Sequence, residues 1–223
     1  MYKNLLFRAL IRFGAGVVLV ALLLFLPAGT LCYPQGLLLM AVLFLPMLAL
    51  GVVLFLKNPA LLEKRLSSKE EQTEQDKVVK LSALMFLLGF SSSGLSFRFG
   101  WLLLPMGASY AAAAVFLTAY LLYAEVMREN AYLSRTVAVQ QGQRVVDTGM
   151  YAVVRHPMYA ATVLMFLSIP VILGSLLSFL LFLSYPLLIA RRIRNEEEVL
   201  TAQLPGYADY KQRVKYRLVP FIW

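Results

Sequence analysis

The sequence predicts an all-α protein: a polytopic membrane helical bundle of four spans, a C-terminal helical hairpin and a cytoplasmic C-terminal helical segment. Three observations predict it. Hydrophobic residues make up 60% of the 223 positions, with a mean hydropathy of +0.71, well above the roughly half apolar content of soluble domains. The apolar runs approach the ~20 residues that cross a hydrocarbon core. The charged residues gather in a few connections between those runs.

The same composition removes other classes. One cysteine, Cys32, excludes an internal disulfide, and one histidine excludes a His-rich metal site. The reading is therefore no metal. A net charge of +9 suits the anionic lipid facing cytoplasmic loops, and nucleic acid is not an expected partner. Residues 1–223 read as one integral membrane domain, with 1–146 as scaffold and 147–223 as the working region.

The first span is Gly14–Leu31, beginning a little earlier, after the basic residues Lys3, Arg8 and Arg12. It imitates a signal peptide. Cleavage is rejected, because Leu31 before Cys32 is not small and a second apolar run, Gly36–Leu56, follows at once. Lys57–Lys80 is polar. Leu61, Leu62 and Leu66 give its first half an apolar face at helical spacing, suited to the membrane surface. Glu70, Glu71, Glu74 and Asp76 read as a solvated face, since Lys69 and Lys77 stand among them. Val78–Phe97 is the third span, with Ser91–Gly94 small enough for close helix packing. Leu102–Tyr123 is the fourth, with Ala108 and Ala111–Ala114 in the same role.

Pro157 to about Leu173 and a run to about Ala190 form the hairpin around Gly174–Ser175. Each arm is short for a hydrocarbon core of about 30 Å, so a tilted or partly inserted hairpin is expected. Twenty of the 21 Lys and Arg residues fall on one face, and Arg98 alone on the other. That bias puts both termini in the cytoplasm, and the expected location is a bacterial inner membrane.

The chain is organised around Asp147–Leu167, which turns abruptly from polar to apolar. Gly149–Tyr151 reads as a turn, His156 as a cap-like residue and Pro157 as the first helical residue, where a missing N–H costs nothing. A helix N-terminus at the water boundary suits an anionic group; it is equally a plain interfacial helix start. A second cluster, R-R-I-R-N-E-E-E at Arg191–Glu198, continues the last arm out of the membrane. Because both arms open on one face, its acids can lie near the Arg155–His156 corner, or pair with their own arginines in solvent. In the tail, Tyr207, Tyr210 and Val214 recur at helical spacing and share a face. Trp223 reads as an interfacial anchor.

Taken in order, G-M-Y-x-x-x-R-H-P-M-Y, E-E-x-x-L, Y-x-x-Y-x-x-R-V and P-F-I-W resemble the isoprenylcysteine carboxyl methyltransferase family, over about Asp147–Trp223. The resemblance implies an S-adenosylmethionine-dependent methyltransferase without a Rossmann domain; no G-x-G-x-x-G fingerprint occurs. It implies a cytoplasmic cofactor pocket closed by the C-terminal segment, and a lipophilic methyl acceptor entering from the bilayer. His156 and Tyr159 would help form the pocket, with Gly149 and Tyr151 shaping its loop, and Glu196 and Glu197 at the cofactor's polar end. Arg155 and Arg213 would hold the acceptor carboxylate or the active-site network. Two departures stand out: Gly149-Met150-Tyr151 where the family has G-P-Y, and L-P-G where it has F-G before the first tail tyrosine.

Methyl transfer to a carboxylate needs positioning rather than a general base, so the lack of a Ser-His-Asp or metal constellation is no objection. An amine acceptor must lose a proton, for which Glu196 or Glu197 is suited. A transporter or scaffold is disfavoured, since the spans carry almost no charge at their centres.

Overall fold

A computed structural model of the chain describes residues 2–66, 73–133 and 139–223. Nine α-helices are seen among them: α1 (Tyr2–Ala28), α2 (Pro34–Lys57), α3 (Pro59–Leu66), α4 (Thr73–Phe99), α5 (Met106–Glu129), α6 (Pro157–Ile172), α7 (Leu176–Phe182), α8 (Tyr185–Gln203) and α9 (Tyr207–Arg213). A single 3₁₀ turn, Gly149–Ala152, precedes α6. No strand occurs among the described residues; one isolated bridge joins Leu103 to Ser175. Among the described residues five stretches are long and apolar enough to cross a membrane: those of α1, α2, α4 and α5, and α7 taken together with α8, Leu176–Gln203. Their outward faces carry large exposed apolar side chains such as Leu26, Leu56, Leu121 and Leu187. Patches of that extent are not left to water, and here they face lipid.

Small residues set the helix contacts. A Cβ on Gly94 would stand 2.4 Å from the Leu24 carbonyl oxygen, so α1 and α4 touch backbone to backbone, as the Ser91–Gly94 run predicts. Ala112 and Ala113 are buried where α5 packs along α6. At the far end Tyr33 is fully buried; its hydroxyl donates to the Leu173 carbonyl at 2.6 Å and its ring stacks on Phe97 at 4.3 Å. This fastens the α1–α2 turn to the hairpin's bend.

Several boundaries differ from the sequence reading, each for a local reason. The fourth span starts at Met106, not Leu102. Pro105 disfavours a helical residue before it, and Leu104 N–H and Leu102 C=O bond instead to Gly174 and Leu176. The third begins at Thr73 rather than Val78, within the polar stretch, where Asp76 and Lys80 pair at 2.6 Å one helical turn apart. Leu61 and Leu62 share a face as their spacing suggests, but α3 packs against α2 and both are buried within the protein rather than turned to the membrane surface. Glu70 and Glu71 lie outside the described residues.

The hairpin is asymmetric. Its first arm, α6, has 16 residues, about 24 Å at 1.5 Å per residue. Its second arm breaks at Leu183–Ser184 and then runs on as α8, well past Ala190, to Gln203. That overrun carries Arg191–Glu198 out of the apolar layer beside the start of α6. Trp223 departs from the interfacial role: it packs against the bundle core, under the Arg217 guanidinium 5.2 Å from its ring, while Phe221 and Ile222 are the exposed residues.

Candidate functional site

Pro157 opens α6 at its first position and leaves His156 in non-helical conformation as the N-cap. The His156 side chain makes no capping bond. It turns instead toward α8, where its Nε2 lies 3.3 Å from Glu197 Oε1. Arg155 donates from Nε to the same oxygen at 2.7 Å. The other carboxylate oxygen takes Arg217 Nε at 3.0 Å, with Lys211 Nζ at 3.8 Å. Glu197 is nearly inaccessible, with a 3% exposed side chain. A buried carboxylate is tolerated only when paired and hydrogen-bonded, and this one gathers partners from three places: Arg155 and His156 before α6, Lys211 on α9, and Arg217 in the tail.

The same arginine ties down the tail. Arg155 Nη1 donates to the carbonyls of Val214 at 2.6 Å and Lys215 at 2.9 Å. The backbone N–H groups of Arg155 and His156 donate to Tyr216 and Arg217 carbonyls, each at 2.9 Å. Residues 214–217 thus lie as an extended strap against the Arg155–His156 corner.

Beside this cluster runs a cleft with about 820 Å³ of empty space, its open part included. Its polar wall is a relay. Arg192 Nε donates to Tyr159 Oη at 2.8 Å, and Tyr159 donates on to Glu196 Oε2 at 2.6 Å. His156, Tyr151, Tyr207 and Tyr210 form further wall, and Met158, Leu200 and Leu204 supply apolar surface. Tyr210 Oη donates to the Tyr151 carbonyl at 2.7 Å, and Asn130 Nδ2 donates to Tyr151 Oη at 2.9 Å. The Tyr207 hydroxyl is buried and has no hydrogen-bond partner among the described residues. Burial raises the phenols of Tyr151, Tyr207 and Tyr210 above their ordinary value, and the Glu197 and Glu196 carboxylates push Tyr207 further the same way. These hydroxyls are therefore neutral donors at physiological pH.

The residues singled out in the sequence divide into three groups. Tyr151, Arg155, His156, Tyr159 and Glu196 line the cleft. Glu197 stands behind it as the centre of the ion cluster. Gly149 and Arg213 stand apart from both. Gly149 sits at φ +49°, its Cα side facing the Glu129 carboxylate, which also accepts from Thr148 Oγ1 at 2.8 Å. Arg213 is exposed and pairs with Asp147 at 2.8 Å. Sequence reasoning missed Arg192, Tyr207 and Arg217. The first two share helix faces with Glu196 and Tyr210, a signal available from 3.6-residue spacing; Arg217 lies beyond α9, where no periodicity indicates direction. Among the described residues no group of three metal-ligating side chains forms.

The fold and this site define a class: a polytopic helical membrane protein with a polar cleft where α6, α8 and the tail meet at the bundle's charged end. Residues 102–202, α5 through α8 with nearly all of its last turn, match the sequence model of the isoprenylcysteine carboxyl methyltransferase family. It is also 31% identical over 91 residues to the Delta(14)-sterol reductase TM7SF2 of Mus musculus. That match takes in 40% of this chain, which spans only 22% of the relative's length. In structure the chain is similar to the eukaryotic intramembrane Ras methyltransferase ICMT, at TM-score 0.47 and 18% identity, over 84% of this chain and 74% of that one.

Proposed function

We propose that the chain is an S-adenosylmethionine-dependent membrane methyltransferase that methylates a carboxylate of a lipidated or membrane-embedded substrate. The observation that carries this reading is the cleft itself, lying against the family's matched helices with the buried, unpartnered Tyr207 hydroxyl in its wall. A buried hydroxyl without a partner costs about 1–3 kcal/mol, and a bound polar ligand removes that cost.

The residues fit the cofactor. Glu196 offers a carboxylate to an ammonium or to ribose hydroxyls, and Arg192 and Tyr159 fix that carboxylate's position. Tyr151, His156 and Tyr207 present ring faces and polar edges to a flat heterocycle. When bound, S-adenosylmethionine supplies an electrophilic methyl group. The chain's own contribution is orientation: Arg155 and Glu197 hold the 214–217 strap over the corner, which excludes water and fixes the cleft wall. A carboxylate acceptor needs a cation to place it. Arg144, exposed at the cleft, is better situated for that fork than Arg213. The charge bias supports a cleft on the cytoplasmic side.

The test is incubation of purified protein with methyl-labelled S-adenosylmethionine and a membrane lipid extract. The proposal expects label in a lipophilic product that mild alkali releases as volatile methanol, the behaviour of a methyl ester. Alkali-stable label points to an amine acceptor, for which Glu196 is positioned as base. A second reading comes from the identity to a sterol reductase: hydride transfer to an apolar double bond. It predicts no methyl label at all, and consumption of a hydride donor instead.

A further inference from the structure

A second cavity lies behind the first, between the opening turns of α4 and residues 191–198 of α8, with about 810 Å³ of empty space including its open part. Among the described residues Lys77, Arg191, Arg192 and Arg194 line it against one acid, Glu198. Among the described residues Arg191 and Arg194 make no ion pair. Gln75, entirely buried, forms part of its wall. Its Nε2 donates to Asn195 Oδ1 at 2.7 Å and to the Arg192 carbonyl at 3.3 Å, while among the described residues its Oε1 finds no donor. Val78 and Leu81 complete the lining, and Leu81 is 44% exposed on the apolar side.

Three chemical demands meet here. The arginines ask for an anion, the Gln75 oxygen asks for a hydroxyl or ammonium donor, and Leu81 leads directly onto the apolar surface. Basic pockets between spanning helices at the membrane surface suit lipid headgroups. We propose that this cavity binds the headgroup of an anionic glycerophospholipid bearing a free hydroxyl, of the phosphatidylglycerol type. The phosphate lies between Arg191 and Arg194, the headgroup hydroxyl donates to Gln75 Oε1, and an acyl chain follows Leu81. Arg192 lines both this cavity and the cleft, so the lipid bears on the residue that holds Tyr159.

The experiment is native mass spectrometry of the purified full chain in detergent, offered equal amounts of phosphatidylglycerol, phosphatidylethanol and phosphatidylcholine. Phosphatidylethanol has the same phosphodiester charge but no headgroup hydroxyl. The expected order is phosphatidylglycerol over phosphatidylethanol over phosphatidylcholine, with at least about fivefold between first and last, the effect of roughly one favourable cation contact. Arg191→Gln/Arg194→Gln removes exposed side chains and should abolish the preference for anionic lipid. Arg8→Gln/Arg12→Gln removes equal charge elsewhere and should keep it. Gln75→Leu should equalise phosphatidylglycerol and phosphatidylethanol. Retention unchanged in the Arg191/Arg194 variant overturns the proposal, as does displacement of the lipid by excess inorganic phosphate, which would mark a free-anion site. A shift of S-adenosylhomocysteine affinity between phosphatidylglycerol and phosphatidylcholine nanodiscs is a further expected readout. It rests on the methyltransferase reading; lipid retention does not, so the two fail separately.

Discussion

Arg155 Nε and Glu197 Oε1 meet at 2.7 Å with both side chains almost wholly buried, 5% and 3% exposed. One residue precedes α6 and the other lies on α8. Their pairing closes the charged end of the hairpin, and Nη1 of the same guanidinium holds the tail. The arginine therefore acts first as a positioning group.

Arg155→Lys tests that role. An ammonium keeps the charge but cannot serve the carboxylate and two carbonyls together in a planar fork. Breaking a buried, hydrogen-bonded pair costs about 3–5 kcal/mol; keeping the charge should bring the loss toward the lower end. We expect the tail to be cut by trypsin at least tenfold faster at Lys215 and Arg217, with a lower Tm. Unchanged proteolysis would show that the strap is held by backbone bonds alone.

Arg213→Gln should do little. Its pair with Asp147 is exposed, and such pairs contribute about 0–1 kcal/mol. Methyl transfer within about threefold of the parent is expected. A loss of a hundredfold or more would restore Arg213 to the acceptor site, with a tail rearrangement to bring it there.

Much of this was legible in the sequence. Pro157 announces the helix start, the charge runs mark the connections, and a hairpin with both arms opening on one face brings R-H-P to E-E-E without any structure. Which of the adjacent acids does what was not legible. Glu196 and Glu197 are about 100° apart on a helix, so one faces the cleft and the other the ion cluster, and only the rotation of α8 decides. Arg213 and Arg217 show the same limit. α9 ends at Arg213 and the chain then runs extended, so helical spacing cannot say that the later arginine turns inward. Trp223 fits the habit of interfacial tryptophans, yet it finds Arg217 and the bundle core within reach.

Tyr207→Phe separates a ligand-facing hydroxyl from a structural one. The hydroxyl has no partner among the described residues, so its removal should leave the thermal midpoint equal or higher. If a ligand satisfies it, S-adenosylhomocysteine affinity should fall up to about tenfold, the worth of one hydrogen bond. A lower midpoint with unchanged affinity would assign the hydroxyl to packing.

Gly149→Ala probes the turn before α6. The positive φ of +49° costs an L-residue roughly 1–2 kcal/mol, and the new Cβ would displace the Glu129 carboxylate, the acceptor of Thr148. A drop in stability of about that size is expected in thermal unfolding, with cofactor affinity weakened only as the Tyr151 wall shifts. Full stability would mean that the turn relaxes freely.

Orientation has a built-in reporter. Cys32 is exposed in the α1–α2 turn, where Gly29 lies against Arg98. In intact cells an impermeant thiol reagent should label Cys32, and should not label Asp209→Cys in a Cys32→Ser background. The reverse pattern would put the cleft on the outer side of the membrane.

The central claim, that the cleft beside Glu196 and His156 takes S-adenosylmethionine, is tested most directly by calorimetric titration of the purified chain with S-adenosylhomocysteine. A dissociation constant in the micromolar range, on the order of −8 kcal/mol, is predicted, weakened by about 1–3 kcal/mol in Glu196→Ala and in His156→Ala. No measurable binding at millimolar ligand, or equal binding by the parent and both variants, would contradict the account.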